Sequence, residues 1–306
     1  MLNKLKLKVL REIYDRYMKW QLPAIAYPAY PVMLEYPIKP LLRYGDGKPA
    51  HQEISAKLAQ NDDKYLATLS AFSDFTENLL RISEEAPDSL SGEPFWNNTY
   101  FTAMDAISLY GFLATKNPAR YMEVGSGNST KFARRAVKDL QLKSKITSLD
   151  PYPRAEVDAL CDRVIRQPLE DVDGKLFDEL ESGDMLFIDN SHRVFQNSDV
   201  TVFFLEVLPR LKPGITVHIH DIFLPFDYPR TWLDRHYSEQ YLLAAFLLAN
   251  YDKMEVLLPL AYVGRHPVIA KAIEDNWTQP IFARAFANNK RYTDGHVGAS
   301  FWLLTK

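Results

Sequence analysis

The spacing of apolar positions changes near residue 120 and divides the chain into two regions. From there on, short apolar runs alternate with longer amphipathic stretches. The short runs predict seven strands, at residues 120–124, 145–149, 163–166, 184–188, 215–220, 254–260 and 299–305. The stretches between them predict helices at 129–140, 154–161, 197–210 and 231–250. Such alternation is typical of parallel βαβ units, so we expect an α/β fold with a doubly wound, Rossmann-like, seven-stranded sheet. We expect this sheet to be mostly parallel, with an antiparallel last strand.

Residues 1–118 follow other patterns and predict a helical and irregular N-terminal extension. Residues 1–20 place apolar side chains at helical spacing and carry a strongly basic face. This face fits an anionic membrane or partner surface, but the favoured interpretation is a docked or oligomerising helix with a solvated face. Residues 21–50 contain six prolines among tyrosines and aliphatic side chains, which predicts an extended segment lying against another surface. Helical spacing returns at residues 51–90 and 99–116.

The composition is that of a folded globular protein and excludes several other classes. The 306 residues include 36 basic and 39 acidic side chains, a net charge of −3, and 47% are apolar. This mix excludes disorder and argues against nucleic-acid binding through bulk positive charge. The single cysteine fits a reducing cytoplasm. The longest apolar run, residues 242–249, is far shorter than the about 20 residues that span a bilayer. We also find no signal peptide, so a cytoplasmic location without a transmembrane segment is expected.

The first predicted strand ends in a glycine-rich turn, and residues 121–130 read YMEVGSGNST. Gly125 and Gly127 permit a tight turn and close approach of a ligand to the backbone. Loops at the carboxyl ends of strands are where ligands bind in such sheets. A dinucleotide-binding fingerprint would need glycine at Thr130, so the pyrophosphate contact loses support. The acid Glu123 instead favours a cationic or amine-bearing ligand.

Residues that follow the second and third predicted strands could contact a nucleoside. Asp150 ends the second predicted strand, where a carboxylate can accept hydrogen bonds from ribose hydroxyls. The alternative is an aspartate that only caps a turn before Pro151. After the third strand, Leu169 or Gln167 would lie against the base.

Polar residues also follow the fourth and fifth predicted strands. Asp189 and His192 follow the fourth strand, and His220 and Asp221 follow the fifth, so we expect all four to converge at one sheet edge. Asp189 and Asp221 are hard oxygen ligands suited to Mg²⁺ or another divalent cation, with His220 as a third candidate ligand. Because His218 and His220 share a strand face that excludes Asp221, an iron site of two histidines and a carboxylate is not expected. His218 is assigned to the core.

Together these residues resemble the class I S-adenosylmethionine-dependent methyltransferases. The resemblance rests on the E-V-G-S-G-N-S-T loop, on Asp150 and on both strand-end motifs, and it spans residues 120–263 and 299–305. More narrowly, the sequence FIDNSH at 187–192 is similar to the F-I-D-x-S-H motif of a small-molecule O-methyltransferase-like branch. The resemblance implies that the glycine loop and its acid hold the methionine moiety and that Asp150 holds the ribose. The expected cofactor residues are Glu123, Gly125, Ser126, Gly127, Asp150, Leu169 and Asp189.

Transfer of a methyl group to an oxygen of a small molecule or sugar is the activity that the resemblance implies. The acceptor must be positioned in line and deprotonated. His192 can take the proton as a general base, or it can merely support its turn. A divalent cation on Asp189 and Asp221, with His220, can instead lower the pKa of the hydroxyl, and relatives divide between metal-dependent and metal-free enzymes. The candidate catalytic residues are therefore His192, Asp189 and Asp221.

Two other functions stay open on the sequence. An NAD(P)-dependent oxidoreductase is disfavoured by Thr130 and Glu123, and a non-catalytic S-adenosylmethionine-binding or scaffold protein would act through the basic N-terminal helix. Glu239, on a predicted helix, either faces the acceptor pocket or only begins that helix. Residues 264–297 form an insertion that would line or cover the acceptor site. We expect a small-molecule acceptor, no nucleic acid, and a homodimer formed through the extension. We divide the chain into the extension, 1–118, and a methyltransferase domain, 119–306.

Overall fold

The seven apolar runs pair into one sheet in the computed structural model, which describes residues 12, 35–36, 38–87, 92–153 and 156–306. The strand order is β3-β2-β1-β4-β5-β7-β6. The strands are β1 (Arg120–Val124), β2 (Lys145–Leu149), β3 (Arg163–Ile165), β4 (Met185–Ile188), β5 (Thr216–Ile219), β6 (Met254–Pro259) and β7 (Phe301–Thr305). Strands β1 to β5 pair in parallel, and β7 runs antiparallel to both β5 and β6. The predicted fold class is confirmed, and β6, which lies beyond β7, forms the sheet edge.

Strand register brings four loops to one edge of the sheet. Val124 at the end of β1 pairs with Leu149 of β2 and with Ile188 of β4, and Ile188 pairs with Ile219 of β5. Because parallel strands end together here, the residues that follow them emerge side by side. The register therefore places the glycine loop beside the loops that begin with Asp150, Asp189 and His220.

Helices surround the sheet, and several of them begin with a recognisable cap. They are α1 (Gln52–Ala59), α2 (Asp62–Ser73), α3 (Thr76–Leu79), α4 (Ala103–Lys116), α5 (Asn128–Leu140), α6 (Asp199–Val202), α7 (Glu239–Leu248), α8 (Leu260–Val263), α9 (Pro267–Asn276) and α10 (Pro280–Lys290). Helix α4 packs against α2, α5 and α10, whereas α1 packs against α7. Prolines open α9 and α10, where the missing N–H has no partner to lose. Among the described residues, no helix is both long and apolar enough to cross a membrane.

Three predicted helices differ from the structure. Residues 154–161 contain only a 3₁₀ turn, Asp158–Leu160, within the part of this stretch that the structure describes. Helix α6 passes into a π-helix (Phe203–Val207) and a 3₁₀ turn (Leu208–Arg210). The predicted helix 231–250 splits into a 3₁₀ turn, Arg230–Arg235, and α7. This break has a tertiary cause, because the N–H groups of Ser238 and Glu239 donate to the His192 carbonyl.

The chain divides into two units, residues 1–39 and residues 40–306. Apart from residue 12, the predicted helix at 1–20 lies outside the described residues, and so does half of the proline-rich segment 21–50. Residues 40–118, assigned to the extension on sequence grounds, belong to the same unit as the sheet. The proline-rich residues of this unit pack beside the loop that follows β5: the Asp227 carboxylate accepts from the backbone N–H groups of Arg43 and Tyr44. It also accepts from the Tyr241 hydroxyl on α7, at 2.9 Å.

Replacing Asp227 with alanine should release this segment. Two backbone donors and one hydroxyl lose their acceptor, and we expect the free energy of unfolding to fall by about 2 kcal/mol. Urea unfolding followed by circular dichroism measures the change. Asp234→Ala, at an exposed carboxylate seven residues further on, is the matched control and should leave stability within about 0.5 kcal/mol of the wild type. Equal stability of the two variants would show that Asp227 does not hold the segment.

Candidate active site

The glycine loop turns sharply against the start of the next strand-end loop. Gly125 has φ +82°, and a Cβ built on it would lie 1.8 Å from the backbone oxygen of Asp189. Only glycine tolerates both the left-handed backbone and this close approach. Gly127 differs, because a Cβ built there would meet nothing within 4 Å. The loop therefore packs tightly at Gly125 and borders open space at Gly127.

Glu123 supports the loop from beneath. Its side chain is fully buried and accepts hydrogen bonds from the hydroxyls of Thr130, at 2.6 Å, and Tyr121, at 3.3 Å. Thr130 in turn accepts from the N–H of Gly127, at 3.0 Å. Burial raises the pKa of Glu123 to about 8. Since no part of this carboxyl is exposed, the geometry fits support of the loop, and the predicted contact with the methionine moiety stays a prediction.

The buried Glu123 predicts a pH-dependent stability that glutamine removes. The folded state keeps a proton that the unfolded state releases near its ordinary pKa of 4.5. Wild-type stability should therefore fall relative to Glu123→Gln as pH rises from about 5 to about 8, by at most about 1.4 kcal/mol per pH unit. Denaturant unfolding at four pH values measures this difference. Glu77→Gln on exposed surface is the control, and parallel wild-type and Glu123→Gln curves would contradict the assignment.

The second strand end locks the same loop. Asp150 accepts from the N–H of Ser126, at 2.7 Å, and from the N–H of Tyr152, at 2.8 Å. The Ser126 hydroxyl pairs with the Ser148 hydroxyl, also at 2.7 Å. Asp150 as a residue is half-buried beside the loop. Leu169 lies in the main core at the start of a 3₁₀ turn and is almost fully buried, so its predicted contact with a base stays a prediction.

His192 lies at the centre of the fourth strand-end loop. Its backbone is left-handed, with φ +61°, and its N–H donates to the side-chain oxygen of Asn190. Asp199 of α6 accepts from both the N–H and the hydroxyl of Ser191, which holds this turn in place. The imidazole is buried, and the ring of Tyr237 lies 4.6 Å from it between centroids.

Three carboxylates face the His192 ring. Its Nδ1 lies 3.0 Å from Glu239 Oε2, and its Nε2 lies 3.2 Å from Asp189 Oδ1 and 3.3 Å from Asp221 Oδ2. Burial disfavours the charged imidazole, but these hydrogen bonds and charges outweigh it and raise the pKa of His192 well above its usual range. Burial raises the pKa of Glu239, against the opposing effect of His192. The imidazole is thus oriented on one nitrogen and directed toward the strand-end acids on the other.

Asp189, His220 and Asp221 form a second group that shares two of these carboxylates. One ligand atom from each lies within 4.8 Å of the others, a spacing that a metal ion can bridge. His220 Nδ1 lies 3.4 Å from Asp221 Oδ1, and both of its ring nitrogens are buried without a hydrogen-bond partner among the described residues. The predicted convergence at this edge is therefore seen in the structure.

The expectation that Asp221 faces away from His220 is wrong. Strand β5 ends at Ile219, and Asp221 has a left-handed backbone with φ +57°, so the alternation of a regular strand no longer applies. His218 lies in the core as expected: its ring stacks on Phe187 at 4.0 Å, and its Nε2 pairs with the Ser300 hydroxyl at 2.8 Å.

Sequence reasoning missed the residues that reach the site from outside the sheet. Asp105, at the start of α4, is fully buried and lies 3.6 Å from His220 Nε2. It accepts from two backbone N–H groups, of Ala299 and Ser300, which join α4 to the two residues before β7. Phe101 contacts the His220 ring at 5.4 Å, so the segment before α4 covers this edge. No local pattern marks Asp105 or Tyr237. The sequence did single out Glu239 as a residue that could face the acceptor pocket, but it did not indicate the contact with His192.

Comparisons with known proteins find similarity over the part of the chain that contains these loops. Residues 122–222 match a family model described as a methyltransferase domain. An uncharacterized protein of Archaeoglobus fulgidus is 33% identical over 91 residues, which are 28% of this chain and 41% of that protein. The chain thus matches less than half the length of this relative.

Solved structures give weaker likenesses. The plantazolicin methyltransferase BpumL in complex with SAH is 15% identical, with a TM-score of 0.40 over 83% of this chain and 96% of that one. An O-methyltransferase from Bacillus cereus in complex with SAH is 14% identical, with a TM-score of 0.35 over the same shares. These similarities are too low to bear on activity.

The family match includes the glycine loop, Asp150, the turn from Asp189 to His192, and the end of β5. It excludes Asp105, Tyr237 and Glu239, which complete the site from flanking elements. Over residues 122–222 this chain therefore matches a methyltransferase domain.

Proposed function

We propose that this domain transfers the methyl group of S-adenosylmethionine to a hydroxyl oxygen of a small molecule or sugar. The observation that carries the proposal is the His192 imidazole, held on Nδ1 by Glu239 and directed on Nε2 toward Asp189 and Asp221. A buried imidazole that is oriented by a carboxylate is the arrangement expected of a general base. It lies at the sheet edge where the glycine loop ends.

The residues of the glycine loop fit the proposed cofactor. The open space at Gly127 leaves room for a ligand against the backbone, and Asp150 offers a half-buried carboxylate beside it. Gly125, Ser126 and Gly127 would hold the methionine moiety, and Asp150 would accept from the ribose hydroxyls. When bound, the sulfonium of S-adenosylmethionine supplies an activated methyl group. Because Asp189 meets Gly125, the loop and the His192 group belong to one continuous edge.

The chain's own groups account for the remaining chemistry. In-line transfer needs the acceptor oxygen fixed and its proton removed. In its neutral form, His192 would accept that proton on Nε2, since Nδ1 is engaged by Glu239. Asp189 and Asp221 would orient the acceptor hydroxyl through their remaining lone pairs. Burial under the Tyr237 ring would keep bulk water from this imidazole.

Asp189, Asp221 and His220 would hold a divalent cation. The two ring nitrogens of His220 that lack hydrogen bonds are the observation that favours this, together with the two hard oxygen donors. A bound cation would polarise the acceptor hydroxyl and offset the carboxylate charge that holds a proton on His192. Titration calorimetry with Mg²⁺ and Mn²⁺ tests the site. We expect saturable binding that Asp221→Asn weakens at least about tenfold, because the variant loses a charged ligand; equal binding by wild type and variant would place the cation elsewhere.

Binding and labelling experiments separate the proposal from its rivals. Calorimetry should show saturable binding of S-adenosylhomocysteine and none of NAD or NADP, and the reverse would favour an oxidoreductase. Incubation of the protein with methyl-tritiated S-adenosylmethionine and pooled hydroxyl-bearing metabolites should then give labelled product. Binding without transfer to any acceptor pool would favour a non-catalytic protein.

A further inference from the structure

Two arginines lie on one aromatic platform next to His192. The Arg235 guanidinium carbon lies 4.0 Å from the centroid of the Trp232 ring and 5.6 Å from that of Tyr237. The Arg193 guanidinium carbon lies 5.1 Å from the same Tyr237 ring. Guanidinium groups that stack on aromatic rings keep their N–H edges available to a ligand. Both cations therefore lie against the Tyr237 ring.

The backbone fixes the first of these arginines. Arg193 Nε donates to the Arg235 carbonyl at 3.1 Å, and its Nη1 donates to the Ser191 carbonyl at 3.2 Å. These bonds join the His192 turn to the 3₁₀ turn before α7. They use only part of the guanidinium, which has five N–H donors. Arg193 is thus pre-ordered with donors to spare, which lowers the entropy cost of binding a ligand.

Neither arginine has a carboxylate partner within 4.0 Å in the part of the chain that the structure describes, and the Arg235 side chain makes no hydrogen bond there. Other arginines differ: Arg230, five residues before Arg235, pairs with Asp46, and Arg284 pairs with Glu84 through two bonds. Two neighbouring cations without an acid repel each other, and an oxyanion between them would relieve that repulsion.

Tyr237 connects this pair to the proposed chemistry. Its ring contacts His192 at 4.6 Å and both guanidinium groups. Trp232 is held by contacts of its own: its Nε1 donates to the Tyr292 carbonyl, and its ring meets Phe223 edge to face. An acceptor with a hydroxyl at His192 would extend past Tyr237 toward the arginines.

We propose that Arg193 and Arg235 bind an oxyanion group of the methyl acceptor, a carboxylate or a phosphate, and so select anionic acceptors. This inference rests on the proposed function, because it assigns the acceptor to the His192 edge. Planar, bidentate recognition of such groups is a property of arginine rather than lysine. The negative charge would lie outside the cluster of acids and away from the transferred methyl group.

Matched probes test the inference. Glucose, glucuronate and glucose 6-phosphate differ only in the group on the last carbon, which is an alcohol, a carboxylate or a phosphate ester. They are titrated calorimetrically into protein saturated with S-adenosylhomocysteine. At least one anionic probe should bind about tenfold or more tightly than glucose. Arg235→Gln should remove that advantage, and Arg193→Gln should do the same. Arg81→Gln, at an exposed arginine elsewhere, should keep it.

The outcomes decide between the claims. If the arginine variants lose affinity for glucuronate alone, the site binds a carboxylate. If they lose affinity for glucose 6-phosphate alone, the site binds a phosphate. Equal affinity for the three probes, no saturable binding of either anion, or an advantage that survives in Arg235→Gln overturns the inference. Melting curves check that the variants are folded, and Arg235→Gln removes no hydrogen bond. If the anions bind through the arginines but S-adenosylhomocysteine does not bind, the proposed function fails and the arginine site stands.

Discussion

Replacing His192 with alanine should lower kcat for methyl transfer by about 10²- to 10⁴-fold, the range that general-base catalysis contributes. The variant removes the one imidazole that lies between Glu239 and the strand-end acids. Binding of S-adenosylhomocysteine should change little, because the glycine loop and Asp150 do not hydrogen-bond to the imidazole in the structure. Initial rates at saturating cofactor, with calorimetry in parallel, measure both quantities.

Two variants sharpen the His192 experiment. Glu239→Gln keeps the shape of the orienting side chain but removes its charge, and we expect a loss of about 10- to 100-fold in kcat. His266→Ala removes a half-buried histidine that caps α9 and should leave kcat unchanged. If His192→Ala keeps kcat within about threefold of the wild type, proton removal does not take place at His192.

Substituting Gly125 with alanine should abolish cofactor binding and reduce the free energy of unfolding by about 3 kcal/mol or more. The new Cβ would overlap the Asp189 backbone oxygen, and alanine disfavours the left-handed backbone that Gly125 adopts. Relief of the overlap must separate the glycine loop from the fourth strand-end loop, which carries His192. Urea unfolding and calorimetry with S-adenosylhomocysteine measure the two effects.

Gly127→Ala is the matched control for Gly125→Ala. Its backbone is extended, with φ 175°, and its Cβ would meet no protein atom within 4 Å. Stability should stay within about 1 kcal/mol of the wild type, whereas cofactor affinity should fall because the methyl group enters the proposed binding space. Equal stability of Gly125→Ala and Gly127→Ala would contradict the tight packing of the loop.

The sheet could be predicted because each strand is a short apolar run between turn-forming residues. Strands β1 and β2 match their predicted bounds, and β3 to β7 differ from them by one or two residues. The helix over 231–250 could not be predicted correctly. The apolar spacing continues through His236, but the chain breaks there so that Ser238 and Glu239 can bond to His192, 46 residues earlier. Such a contact leaves no periodic signal in the sequence.

The candidate site, too, could be predicted in part from the sequence. Asp150, Asp189, His192 and His220 follow strand ends, and parallel topology alone predicts that they share an edge. The direction of Asp221 depends on one left-handed residue, which spacing does not reveal. Asp105, Tyr237 and the arginine pair come from elements outside the strand–helix pattern. The match of residues 122–222 to a methyltransferase domain supports the predicted methyltransferase, whereas oxygen as the acceptor atom and the bound cation stay predictions.

A crystal structure of the protein with S-adenosylhomocysteine tests the central claim most directly. The account predicts that the ligand lies along Gly125 to Gly127, that its ribose hydroxyls donate to Asp150, and that its sulfur faces the space between Asp189 and His192. Density for the ligand away from this loop, or with its sulfur directed away from His192, would contradict the claim that the loop and the imidazole form one site.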